Sequence, residues 1–140
     1  MYSKDHIIWF FRYGLWNWLS PHRMKNRFIK HPWQRLTRGF DDSELWSLDY
    51  TVSKFVLPRL KEFRKDLMGT PAQFLPDKWP ITDEEEKAAI KAWEDTIDKM
   101  IHAFELHLKD GEGELLELPQ YDEIDEGMAL FAKYYMNLWD

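Results

Sequence analysis

Seven apolar residues, Ile90, Trp93, Ile97, Met100, Ile101, Phe104 and Leu108, recur at near-heptad steps through residues 83–109. An α-helix turns once in about 3.6 residues, so this spacing gathers them on one narrow flank. In a strand the same residues would scatter over both faces. Thr82 followed by Glu85 has the spacing of a capping box and marks the helix start; KDGEGE, residues 109–114, marks its end.

Three more segments read as helices, and none shows sustained strand alternation. Residues 4–19 are apolar on most of their circumference, and Pro21 closes them. Such a helix is buried centrally, placed in a subunit interface or laid on a membrane, and its few Lys/Arg disfavour the membrane. Its apolar run is too short to span a bilayer and lacks a small-residue cleavage site, so neither a signal peptide nor a transmembrane helix is expected. After Gly39, Asp41 is a good N-cap with Glu44 three residues on, and Phe40 and Leu45 are placed as a hydrophobic staple. The helix this predicts carries Leu45, Leu48, Val52, Phe55, Val56, Leu60 and Phe63, with a kink at Pro58 or a break near Leu57. Residues 69–80 form a Pro-rich loop tied down by Phe74 and Trp79, and the last helix covers about 121–139 with Ile124, Met128, Phe131, Tyr135 and Leu138 on one face. The expected fold is all-α: a single-domain helical bundle or orthogonal array of about four main helices over residues 1–140. Residues 1–38 pack on, or extend from, a 40–140 helical core.

Eight Trp, nine Phe and six Tyr exclude a disordered chain, and the absence of cysteine excludes disulfides and thiolate metal sites and fits a reducing cytoplasm. The net charge of −6 disfavours generic nucleic-acid binding. It conceals an asymmetry: residues 1–38 hold eight Lys/Arg against Asp5 alone, and residues 39–140 hold eleven against twenty-four acids. The basic segment therefore meets an external polyanion or lies on the chain's own acids. Arg23, Lys25, Arg27, Lys30, Arg35 and Arg38 alternate with Phe28 and Trp33, a pattern that suits phosphate neutralisation with base stacking.

Glycine-rich phosphate loops, a Ser nucleophile elbow and HExxH are missing, which leaves carboxylates and five histidines for chemistry. Glu94, Asp98, His102 and Glu105 make a ridge beside the apolar stripe, a candidate divalent-metal flank completed by Glu123, Asp125 or Glu126, or simply a solvated charged flank with Lys91 and Lys99. The pairs Asp41/Glu44, Asp122/Asp125 and Glu123/Glu126 have the separation used by all-α nucleotide pyrophosphohydrolases to hold Mg²⁺. Asp49 and Arg59 project into the apolar face of the second helix, where an unpaired charge is costly. They are expected to form a buried polar clamp that ties the basic segment to the bundle, Asp49 accepting from Arg35, Arg38 or an indole N–H and Arg59 needing a partner of its own, with Asp49 as a site acid the other reading.

The stretches WQRLTRGFDDSELWSLDYTVSKFVLPRL, WEDTIDKMIHAFE and EGMALFAKYYMNLWD resemble small hypothetical proteins of tailed bacteriophages. The resemblance implies a viral source and the cytoplasm of an infected cell, and it transfers no catalytic residue. The leading expectation is a non-enzymatic interaction protein with no cofactor. It binds a protein partner or a second copy of itself through Trp9, Phe10, Trp16 and Trp18. The alternatives are a nucleic-acid accessory protein using the basic segment and a metal-dependent nucleotide hydrolase.

Overall fold

The computed structural model describes residues 24–139, and every regular element among them is helical. The chain is all-α. It divides between Leu48 and Asp49 into two compact units, further along than the border drawn at Arg38.

In the first unit a π-helical turn, Asn26–Lys30, runs into helix α1, His31–Arg38. Pro32 sits in the first turn of α1, and Gly39 ends it with φ 82°, its N–H reaching Arg35 O at 3.0 Å. That left-handed geometry costs a glycine little, because it has no Cβ. The capping box at Asp41 forms: its carboxylate accepts the Ser43 N–H at 2.8 Å, and Glu44 accepts the Asp41 N–H at 3.2 Å. It caps only a short 3₁₀ turn, Asp42–Leu45, and the next helix, α2, starts at Leu48. Phe40 and Leu45, the expected staple, are both exposed.

The second unit is built on three helices: α2, Leu48–Lys65; α3, Asp83–Gly111; and α4, Leu118–Tyr134. α2 is unbroken through Pro58. The α3 start falls where the sequence puts it, with Thr82 accepting the Glu85 N–H at 3.3 Å. α4 starts earlier than expected, at a capping box formed by Glu117 and Gln120.

α3 is central. Its ion pairs with α2 run in opposite senses along the two helices, Lys61 to Glu105 at 2.5 Å and Arg64 to Asp98 at 2.9 Å, so the helices are antiparallel. The same holds on the α4 side, where Lys99 meets Glu126 at 2.6 Å and His102 meets Glu123 at 2.8 Å. Trp93, Ile97, Met100 and Phe104 of α3 form the core with Leu60 of α2 and Tyr134 of α4. Each such side chain contributes about 1.5–3 kcal/mol of burial. Phe74 anchors the loop as expected, its ring 5.4 Å from Trp93 and 5.2 Å from Tyr134, whereas Trp79 is exposed. On α4 the buried tyrosine is Tyr134, and Tyr135 is exposed. Gly127 lets α4 approach α3 closely: a Cβ there would lie 2.3 Å from the Ala103 Cβ and 2.6 Å from Lys99 O.

Candidate interaction surface

α1 has two unlike faces. Its polar face is tied to the acids that follow Gly39. Arg35 Nε lies 2.7 Å from Asp41 and 3.2 Å from Glu44, and Lys30 Nζ lies 2.8 Å from Asp42, which also pairs with Arg38. Gln34 fixes the register, donating to Asp42 at 2.8 Å and accepting its N–H at 3.1 Å. Asp41 is only 1% exposed. The Ser43 hydroxyl lowers its pKa below the ordinary 3.8 against the opposing effect of burial, with help from the Ser43 N–H, Arg35 and His31. Gln34, then Lys30 and Arg38, lower that of Asp42.

Of the six basic residues proposed for nucleic acid, Lys30, Arg35 and Arg38 therefore lie on the chain's own acids. Lys25 is exposed, Arg27 sits 5.9 Å from the Phe28 ring centroid, and Arg23 lies outside the described residues. Trp9, Phe10, Trp16 and Trp18 lie outside them as well.

The other face carries Trp33 and Leu36, with Ile29 of the preceding π-helical turn four residues before Trp33; the three are 64%, 79% and 65% exposed. No apolar side chain is buried among residues 24–48.

The expected clamp at Asp49 and Arg59 is not there. Asp49 is 70% exposed, 3.3 Å from His107, and Arg59 is exposed with its guanidinium 3.6 Å over the Phe55 ring. The projection counted Leu45, Leu48, Val52 and Phe55 into the buried face, and all four are exposed. The face that packs is Val56, Leu57, Leu60, Phe63 and Leu67, and the first turn of α2 lies beyond it. The buried acid is the cap residue Asp41. Its partner Arg35 is one of the two arginines expected to clamp Asp49.

The ridge on α3 is divided between two neighbours. Glu94 and Asp98 pair with Arg64 of α2, Glu105 pairs with Lys61, and His102 turns to Glu123 of α4. Among the described residues no three His, Asp or Glu side chains converge as a metal ion requires, so Glu94, Asp98, His102 and Glu105 do not form the candidate metal flank, and the other reading, a charged flank, describes them. Helical spacing aligned them, and cations on α2 together with the acid on α4 drew them apart. Arg64, missed in the sequence, carries this seam; its position one turn after Leu60 was the available signal. Asp98, ahead of Glu94 and Asp95, raises its pKa.

No helix among the described residues is long and apolar enough to cross a membrane. Comparison with protein-family models, curated proteins and solved structures finds no match to the chain.

Proposed function

We propose that this is a non-enzymatic interaction protein that works by binding another protein or a second copy of itself. The observation that carries the reading is α1, whose polar face is pinned by ion pairs and whose Ile29, Trp33 and Leu36 face is exposed. An amphipathic helix held in this way presents pre-ordered anchors, and aromatic anchors dominate interface energetics. Residues 1–20 add Trp9, Phe10, Trp16 and Trp18 to the same end of the chain. Self-association is the simplest form, because it needs no further component. The resemblance to phage proteins agrees with a small binding protein acting in an infected cell.

Sedimentation of the full chain between about 1 and 100 µM tests it, since specific dimers dissociate in or below this range. A mass that rises with concentration in the wild type, and falls to the monomer value in a Trp33→Glu, Leu36→Glu double variant of unchanged helicity, supports self-association. A monomeric wild type that also captures no protein through this face defeats the reading.

A further inference from the structure

The exposed apolar side chains of α1 and its leading turn are spaced almost symmetrically. Ile29 stands four residues before Trp33, and Leu36 three after it. A two-fold axis passing beside Trp33 therefore gives every one of them an apolar counterpart in a second copy. Trp33 meets Trp33, and Ile29 meets Leu36 in both directions.

The charges favour the same occupant. Lys30, Arg35 and Arg38 are already paired, in the same chain, with Asp41, Asp42 and Glu44. Two copies can then approach without the like-charge opposition that a bare basic helix meets, whereas a polyanion finds these three cations taken. The two ends of the segment also differ. Lys25 and Arg27 are exposed at its start. At its far end α1 closes on Gly39, with the Asp42 carboxylate beside Arg38. An antiparallel pair brings the cationic start of each copy to the partly negative helix end of the other. A parallel pair sets Lys25 against Lys25 and aligns the two helix dipoles.

We propose that α1 pairs with α1 of a second copy, antiparallel and about a two-fold axis beside Trp33. The proposal rests on the reading of this face as a binding surface and adds its partner and register. Three side chains per copy make a face smaller than the roughly 800 Å² per partner of a standard interface, so the pairing is weak and reversible.

The chain contains no cysteine, so introduced cysteines report the register directly. Full-length Ile29→Cys and Leu36→Cys proteins, whose new side chain is still a small apolar one, are oxidised with diamide at about 100 µM, separately and as an equal mixture. In the antiparallel register positions 29 and 36 are adjacent between copies. Each lies about 10 Å from its own counterpart, beyond the reach of a disulfide. The mixture is expected to give about fivefold more disulfide-linked dimer than either protein alone, joined between 29 and 36. Leu36→Cys mixed with Glu84→Cys, an exposed position at the start of α3, sets the level of random collision. Lys25→Glu in both proteins lowers the mixed yield about threefold, although an acid suits its own helix start.

The proposal is overturned if either protein links to itself as well as the mixture does, which is the parallel register. It is equally overturned by a mixture that gives no more than the Glu84→Cys control, or by a Lys25→Glu yield that is unchanged or raised. A wild type whose mass rises with concentration, beside an unlinked mixture, removes this register and leaves the α1 surface standing. A monomeric wild type that captures no protein removes both.

Discussion

In the unit that begins at Asp49, Trp93, Ile97 and Met100 are buried almost completely; in the described part of the unit before it, the buried residue is an aspartate, Asp41. The second unit is held by apolar side chains and pairs several of its charges in seams along the helix flanks. The described part of the first is held by charges, with its apolar side chains exposed. Hydrophobic burial is non-directional and scales with area, so it stabilises a unit of three long helices. Ion pairs and capping bonds are directional and individually modest, so they fix the conformation of a short segment and add little global stability.

Substitutions separate the two most sharply at the core. Trp93→Ala is expected to cost about 3–5 kcal/mol and to lower the denaturation midpoint of the second unit. Trp33→Ala, the same chemical change on α1, is expected to stay within about 0.5 kcal/mol, because that ring is exposed. Equal costs in chemical denaturation would erase the distinction. Gly127→Ala comes next, at about 1–3 kcal/mol, because the new methyl meets backbone at Lys99 O as well as the Ala103 side chain. Thermal melting reads it, and an unchanged midpoint would mean that α3 and α4 separate freely.

Asp41→Ala is expected to cost about 0.5–2 kcal/mol, felt locally. Hydrogen exchange should show faster opening of residues 31–45 with the α3 amides unaffected. Acid gives the same contrast without mutation. Asp41 and Asp42 have folded-state pKa values below 3.8, so their stabilisation is fully present above 3.8 and is lost as pH falls from there through the folded values. The protection factors of the α1 amides, with the intrinsic pH dependence of exchange divided out, should fall below pH 3.8 and stay constant from pH 7 to 5. The smallest effect belongs to His102→Gln, whose exposed pair with Glu123 is worth within about 0.5 kcal/mol by double-mutant cycle.

How far the sequence could be read follows the range of each interaction. The Thr82–Glu85 cap, the Asp41–Glu44 cap and the Trp93, Ile97, Met100 and Phe104 part of the α3 stripe appear where their spacing puts them, because capping and helical periodicity act over a few residues, whereas Ile90 at the head of the stripe is exposed and Leu106 outside it is buried. The helix expected to follow Asp41 starts instead at Leu48, because a capping box states that a turn begins and says nothing of how long it lasts. Asp49 and Arg59 were misplaced for a related reason: a helical projection gives the direction of a side chain and omits where along the helix its neighbour ends. The ridge residues are correctly aligned, but their partners Arg64 and Lys61 sit thirty or more residues away in sequence.

The sequence alone determined that this chain is helical and where α3 opens, and it marked the chain's basic and acidic halves. Those properties are sums over neighbours in the chain. Tertiary structure decided which cations the α3 ridge meets and how closely Gly127 brings α4 to α3. Each depends on the distance between segments remote in sequence, which periodicity and propensity do not encode.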